Sequence, residues 1–187
     1  MMSSQAVQVK THPAGPKSCF TIDLDKANAF LNTVREDPAK GRFTFKTTTV
    51  WQGGAVSKTT ARNFEIYTDD PEVLGGTDSA PDPVELLLAA LGTCLSIGYA
   101  TNAAQAGFDL EDLEIEVEGD IDLRGYFNLD EQVRPGFDQI RVNVKVKSGA
   151  TDEQLERLRN LVERTSPMFD NVSNGVPVKT IFHRVAG

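Results

Sequence analysis

The sequence predicts an α+β fold, in which antiparallel strands pack around one long apolar helix. Segments with strand patterns come in runs that few helices interrupt, which is typical of α+β rather than parallel α/β proteins. Residues 113–123 and 140–147 alternate apolar and polar side chains, as half-buried strands do. Residues 83–106 are apolar nearly all round, as expected of an enclosed helix.

The first 41 residues are predicted to form an arm and an amphipathic helix, ahead of a larger domain at 42–187. A short strand is expected over 19–24. Residues 26–35 carry apolar side chains at helical spacing, namely Ala27, Phe30, Leu31 and Val34. Pro38 should end that helix, because proline has no amide hydrogen to donate.

An antiparallel meander is predicted for the region after the first helix. Residues 43–51 are rich in Thr, Phe and Val, and Gly53-Gly54 is a turn signal. Residues 55–67 are expected to add one or two strands. A loop over 69–83, which contains three prolines, should lead into the central helix.

The central helix has a clear beginning and end in the sequence. Asp82 is expected to cap it, Pro83 occupies the first helical position, and Glu85 completes a capping-box pattern. Gly107 is a natural stop. The helix also contains several polar side chains, which favours a buried helix over a membrane span.

The two alternating strands should pair, because one exposed face is acidic and the other basic. The acidic run 114–122 is therefore interpreted as half of a sheet surface rather than as a metal site. Thr151 and Gln154 form another capping box that begins a later helix. Residues 176–185 are predicted to be a final strand, and Pro177 suggests a sheet edge.

Composition excludes several functional classes. The formal net charge is -8 and there is no basic stripe, so nucleic-acid binding is not expected. The two histidines and two cysteines lack metal-ligand spacing, and no Gly-rich phosphate loop occurs, so neither a metal nor a cofactor is expected. No secretory signal is recognised and no membrane partner is expected, which makes a cytoplasmic location the default.

Cys94 is the main candidate for chemistry. It shares a helical stripe with Leu87 and Leu91, which places it on a buried or interface-facing surface. A free cysteine in such a place can simply be a small hydrophobic residue. It can also be reactive, provided that a nearby cation holds it as the thiolate, since a free thiol has a pKa of about 8.5.

The stretch LGGTDSAPDPVELLLAALGTCLSIGYA, residues 74–100, closely resembles the central helix of the OsmC-like family, the osmotically inducible and organic hydroperoxide resistance proteins. The shared pattern is a proline, an acidic residue, a run of Leu and Ala, and a cysteine at the position of Cys94. The segment Trp51-Gln52-Gly53-Gly54 and the later order of elements also match. The resemblance covers about residues 42–185.

The resemblance implies an intertwined homodimer, with antiparallel sheets wrapped around two long central helices and the active sites at the subunit interface. It implies the reduction of organic hydroperoxides by a thiolate, which leaves a sulfenic acid and an alcohol. An arginine of the N-terminal sheet would stabilise the thiolate. A second cysteine would then form a disulfide, which an external dithiol reduces.

Carried over residue by residue, the resemblance makes Cys94 the peroxidatic cysteine. Arg62, expected on a strand of the meander, is the preferred cation. Lys58 and Arg42 are the competing cations, and a lysine lacks the planar fork of arginine.

The sequence departs from the family pattern at two places. Val84 stands where peroxide-reducing members have a glutamate, and Glu85 comes one residue later. Because that position is on the opposite side of the helix from Cys94, Glu85 is only a weak candidate for a catalytic residue. Ser166, in Ser166-Pro167, stands where the second cysteine should be. Cys19 lies outside the family motif and could replace that cysteine only if the fold brings it near.

Two functional classes therefore remain open. In the first, the protein is a single-cysteine peroxidase that acts on small organic hydroperoxides and is restored by an external thiol. In the second, it is a non-catalytic homodimer that holds a small apolar ligand, with Cys94 only lining the pocket. Redox sensing through Cys94 is a third possibility on the same scaffold.

Overall fold

A computed structural model describes residues 17–185 and shows an α+β fold with antiparallel sheets, which confirms the predicted class. The helices are α1 (Leu24–Glu36), α2 (Pro83–Ala106), α3 (Leu123–Tyr126), α4 (Asp152–Thr165) and α5 (Pro167–Ser173). The strands are β1 (Thr48–Gly53), β2 (Val56–Ala61), β3 (Phe64–Thr68), β4 (Asp112–Ile121) and β5 (Phe137–Lys147). Short 3₁₀ turns occupy Cys19–Thr21, Pro38–Gly41 and Glu72–Leu74.

The strands form two separate antiparallel sheets, β1-β2-β3 and β4-β5. The predicted meander is confirmed, although β1 begins at Thr48 rather than at residue 43. The predicted charge pairing of β4 with β5 is also confirmed. Lys145 bonds Glu114 at 2.5 Å, and Arg141 contacts Glu118 at 3.3 Å. These pairs are exposed, so they help to fix the strand register more than they add stability.

Helix α2 is the centre of the packed core. β4 lies against one side of it, and α4 and α5 lie against another. Its buried residues are Leu91, Leu95, Tyr99, Ala103 and Ala104. Gly98 allows α4 to come close, because a Cβ atom there would lie 3.1 Å from a methyl carbon of Val162.

The predicted ends of α2 are confirmed. The Asp82 carboxylate accepts a hydrogen bond from the Val84 amide, and Glu85 bonds back to the Asp82 amide at 2.9 Å. Gly107 ends the helix with a φ of 81°, a left-handed conformation that glycine adopts without strain. By length and composition α2 could also cross a membrane. Its polar caps and its packing against β4, α4 and α5 favour a core helix instead.

Two predicted strands are wrong. Residues 19–24 form a 3₁₀ turn and the start of α1, because the side chains of Ser18 and Asp23 cap helical turns there. Residues 176–185 are rich in Val, Ile and Phe but form no strand, since nothing in the described chain offers them a hydrogen-bonded edge. Phe182 in this segment is 91% exposed.

The predicted amphipathic helix is confirmed as α1, but no residue of α1 is buried. Its apolar side instead meets an aromatic residue just beyond the helix, and the ring centres of Phe30 and Phe43 are 6.0 Å apart. The proposed division at residue 41 stays a prediction.

The meander also lies outside the core cluster. Trp51, Phe64 and Ile66 lie on one face of its sheet. They pair with alternate residues of β2, and alternate residues of a strand point to the same face. All three are exposed, and Trp51 is 71% exposed. This face therefore presents three large apolar side chains that the single chain leaves uncovered, among the smaller side chains of Thr49, Ser57 and Thr59.

Candidate active site

Cys94 lies in the middle of α2, on the side that the core does not cover. Leu87, two turns before it, and Ile97, one turn after it, are both exposed, and Ile97 is 67% exposed. The Cys94 side chain is half-buried and its thiol is free. The sulfur therefore lies at the border between the packed core and an open apolar stripe, where a reagent of small size can reach it.

The Cys94 sulfur has one polar neighbour in the described chain, the hydroxyl of Ser166. The Sγ and Oγ atoms are 3.3 Å apart. Ser166 is almost fully buried, at 6% exposure. The structure thus brings together the predicted peroxidatic cysteine and the residue that replaces the second family cysteine.

Local structure fixes the position of Ser166. It ends α4, where its amide donates to the Val162 carbonyl at 2.9 Å, and it is also the N-cap of α5. As the cap, its Oγ atom accepts a hydrogen bond from the Phe169 amide at 3.1 Å. Pro167 at the first position of α5 supports the sharp change of direction between the two helices.

Arg62 does not lie on a strand, as its sequence context predicts, but in the two-residue turn between β2 and β3. Its φ is 57°, and such tight turns require left-handed residues. Its guanidinium carbon lies 5.1 Å from the centre of the Phe64 ring. In residues 17–185, no hydrogen bond connects this guanidinium with Cys94.

The two competing cations are also not at the thiol within one described chain. Lys58 pairs with Glu65 at 2.5 Å, and this hydrogen bond raises the pKa of Lys58 above its usual range. Arg42 is exposed and follows the 3₁₀ turn Pro38–Gly41. The choice among the three cations stays a prediction.

Glu85 is on the other side of α2 from Cys94. Nine residues at about 100° each place the two side chains about half a turn apart. The carboxylate caps the helix and lines an apolar groove of about 490 Å³ between α2 and β4, with Ile115 and Val117. The geometry explains Glu85 by its capping role.

Cys19 is buried at the far end of α2 and does not approach Cys94. It is 4% exposed, and its thiol donates to the Phe108 carbonyl at 3.4 Å and to Asp109 at 3.2 Å. Burial, and then the hydrogen bond to the Asp109 carboxylate, raise the pKa of this thiol. Phe108 lies about four helical turns beyond Cys94 in the sequence, so Cys19 is an anchor for the N-terminal segment.

A second groove, of about 470 Å³, follows the same side of α2 as Cys94. Val84 and Leu87 form part of its apolar wall, together with Val172 of α5. Arg134, which no sequence motif marks, lies at its rim. The groove offers an apolar molecule a place near the start of α2, about two turns from Cys94, and Cys94 is not among the residues that line it.

Sequence reasoning also missed Asp69, which organises the loop before α2. The side chain is 1% exposed and accepts five hydrogen bonds, from the amides of Asp70, Thr77 and Ser79 and from the hydroxyls of Thr77 and Ser79. These bonds, led by that of the Thr77 hydroxyl, hold the pKa of Asp69 far below its usual range. The available signal was an aspartate ahead of a loop rich in Gly, Ser and Thr.

No cluster of three or more His, Cys, Asp or Glu side chains with metal-binding geometry occurs in the part of the chain that the structure describes. The groups that the structure brings together at the site are a thiol and a hydroxyl, beside an apolar surface. This fold and site define a class of α+β proteins built around a central helix that bears a cysteine.

The sequence model of the OsmC-like protein family matches residues 76–181, which include α2, Cys94 and Ser166. The match covers more than half of the chain, and this chain belongs to the OsmC-like family. No curated protein sequence matches it closely enough to count as a relative.

Solved structures of this family have the same fold. The OsmC-like protein of Mycoplasma pneumoniae superposes with a TM-score of 0.62 at 15% identity, over 71% of this chain and 89% of that one. An organic hydroperoxide resistance protein of Legionella pneumophila gives 0.55 at 19% identity, over 73% and 94%. One from Elizabethkingia anophelis gives 0.52 at 20% identity, over 72% and 90%. At these identities the likeness establishes the fold alone.

Proposed function

We propose that this protein reduces organic hydroperoxides with Cys94 as its single peroxidatic thiol. The observation that carries the proposal is the position of Cys94, a free and half-buried thiol on the open apolar side of α2. Family membership supports it, since some structural neighbours are organic hydroperoxide resistance proteins. The apolar stripe and the adjacent groove suit a hydroperoxide with a hydrocarbon body.

The proposed reaction begins with attack of the Cys94 thiolate on the terminal oxygen of the hydroperoxide. A sulfur–oxygen bond forms, the oxygen–oxygen bond breaks, and the alkoxide takes up a proton to leave as an alcohol. Cys94 is thereby oxidised to a sulfenic acid.

Ser166 cannot close an internal disulfide, so the cycle needs an external thiol. One thiol attacks the sulfenic sulfur and releases water, which leaves a mixed disulfide on Cys94. A second thiol then attacks that disulfide and returns Cys94 to its reduced form. The reductant is therefore consumed as two thiols for each hydroperoxide.

The proposal includes a homodimer, because two apolar surfaces are left uncovered in one chain. One is the face of the meander with Trp51, and the other is the side of α2 with Leu87 and Ile97. A second copy would cover both, and it would supply the cation that one described chain does not bring to Cys94. Arg62 is the preferred candidate, because its guanidinium can make two parallel hydrogen bonds.

The test is direct. The reduced protein would be mixed with one equivalent of cumene hydroperoxide, and a dimedone-type reagent would trap the sulfenic acid. We expect one trapped adduct per chain, located on Cys94 by peptide mass spectrometry, and none in the Cys94→Ser variant. Absence of the adduct in the wild-type protein, with its thiol intact, would rule out the peroxidase.

The groove beside Leu87 also supports a second candidate, in which the protein binds a small apolar ligand without chemistry. In that case Cys94 takes no part in chemistry, and substitution of Leu87, which lines the groove, by a charged residue would abolish ligand binding. The two candidates differ in one measurement, since only the peroxidase consumes hydroperoxide in the presence of an external thiol.

A further inference from the structure

The Ser166 hydroxyl can still donate one hydrogen bond in the described chain. The Oγ atom already accepts the Phe169 amide proton, and the Ser166 amide and carbonyl serve α4 and α5. The hydroxyl proton is therefore free to point elsewhere. The Cys94 sulfur, 3.3 Å away, is the acceptor within reach in the described chain.

We propose that Ser166 donates a hydrogen bond that holds Cys94 as a thiolate, which is a role distinct from that of the cysteine it replaces. A thiolate has no proton to give, so in the Ser166–Cys94 pair the sulfur must then accept. Burial strengthens such a bond, because water does not compete for the hydroxyl. The inference rests on the proposed function, for which the thiolate is the reactive form.

The Ser166 Oγ atom also has a fixed position. The N-cap bond to Phe169 holds the Oγ atom in place, and Pro167 fixes the backbone on its C-terminal side. The donor is thus prepared before any substrate arrives, which is the usual way in which proteins stabilise a charge at low cost. The start of α5 thus helps to hold the Ser166 hydroxyl in position.

If Ser166 acts only as a helix cap, the reactivity of Cys94 should follow the quality of the cap. If Ser166 is a donor, the reactivity should follow the presence of the hydroxyl. Three substitutions separate the two roles. Ser166→Thr keeps both the cap and the donor. Ser166→Ala loses both. Ser166→Gly removes the hydroxyl without adding a charge, and glycine at an N-cap costs only about a few tenths of a kcal/mol relative to serine.

The measurement is the rate at which neutral iodoacetamide alkylates Cys94 at pH 7, resolved from Cys19 by peptide mass spectrometry. Hydrogen bonds to charged groups are strong enough that loss of one should reduce the rate by about tenfold or more. We expect the threonine variant to react within about threefold of wild type, and both the alanine and the glycine variants to react about tenfold more slowly, although glycine largely keeps the stability of the cap.

Thr93→Ala is the matched control, because it removes a hydroxyl next to Cys94 that bonds the Ala89 carbonyl instead of the sulfur. It should leave the rate unchanged. Wild-type rates in the alanine and glycine variants would overturn the inference, as would a loss of rate in the alanine variant that the glycine variant does not share, or an equal loss of rate in all three Ser166 variants. If the expected order holds but cumene hydroperoxide gives no sulfenic acid, the proposed function fails while the role of Ser166 stands.

Discussion

The Oγ atom of Ser166 lies 3.3 Å from the Sγ atom of Cys94, although the two residues are 72 positions apart in the chain. This contact places a hydroxyl where the family pattern has a second cysteine. The two side chains are therefore close enough to touch, but a hydroxyl cannot form a disulfide with the Cys94 sulfur.

Ser166→Cys should restore an internal disulfide, because the side-chain atoms at the two positions already touch. After one equivalent of cumene hydroperoxide, we expect water to leave as the Cys94 sulfenic acid condenses with the new thiol. The product loses two hydrogen atoms in intact mass and has no fast-reacting thiol. A crosslink over so long a loop should also stabilise the protein by about 2–4 kcal/mol.

Thr165→Cys is the control for that experiment, since Thr165 is exposed and bonds the Leu161 carbonyl rather than the sulfur. It adds a thiol to the same turn without contact with Cys94. An equal yield of disulfide in both variants would mean that the turn moves freely, and the geometry of the Ser166 contact would then have no special meaning.

Cys19 should be inert in the folded protein. Burial and the Asp109 carboxylate raise the pKa of its thiol, so little thiolate is present at pH 8, and little surface is open to a reagent. We expect alkylation of Cys19 to be at least about a hundredfold slower than in the denatured chain. Rapid modification of Cys19 under native conditions would show that the N-terminal segment opens from α2.

Glu85 should matter for stability and not for reactivity. Glu85→Ala removes half of a capping box, and we expect a loss of about 0.5–1 kcal/mol in the free energy of unfolding, measured by urea titration. The alkylation rate of Cys94 should stay within about twofold of wild type. A large fall in peroxide reduction without a change in stability would instead restore the catalytic role suggested by the resemblance.

The parts of the fold that sequence predicted well are those with local causes. Asp82, Glu85 and Gly107 mark the ends of α2, and the alternation in β4 and β5 fixes which face is buried. The segment 176–185 is rich in Val, Ile and Phe, as strands are, but no strand of the described chain pairs with it. A β-strand forms only when it pairs with another strand, and a local sequence pattern describes only one strand of the pair.

In the candidate site, too, features with local causes were predicted and features that depend on packing were not. Cys94 stood out by its helical stripe and by its family motif, whereas its contact with Ser166 depends on how α4 and α5 pack against α2. Ser166 was noted only because the resemblance aligned it with a cysteine. Arg62 was expected on a strand because glycine and asparagine, rather than arginine, are the residues that usually signal a left-handed turn.

Asp69 should make stability depend on pH. Its folded-state pKa is lowered, whereas the unfolded chain has a value of about 3.9. Its stabilisation is therefore fully present well above pH 4 and is lost as the pH falls from about 4 towards the folded-state pKa. We expect Asp69→Asn to lower the Tm by at least about 4 °C at pH 7, and the difference from wild type to shrink at acid pH.

The neighbouring Asp70→Asn is the control for that experiment, since the Asp70 carboxylate does not hold the loop as Asp69 does. It should have little effect on the Tm. A constant difference between Asp69→Asn and wild type from pH 7 down to pH 2 would contradict a charge-dependent role.

The proposed homodimer makes a prediction about Trp51, the only tryptophan in the chain. In a single chain its indole is 71% exposed, so a monomer should emit at long wavelength and be quenched readily by acrylamide. If a second copy covers the apolar face of the meander, emission shifts to shorter wavelength and quenching weakens at high protein concentration.

Ile66→Glu tests the same dimer from the other end of that face, because it places a charge on the apolar surface. We expect it to weaken dimerisation by at least about a hundredfold in Kd. Thr48→Glu, on the opposite face of the sheet, should leave the sedimentation profile unchanged. Because the dimer is also expected to supply the cation at Cys94, Ile66→Glu should slow the alkylation of Cys94 in parallel with dissociation. A monomeric variant that retained wild-type reactivity would show that the second copy is not needed for the thiolate.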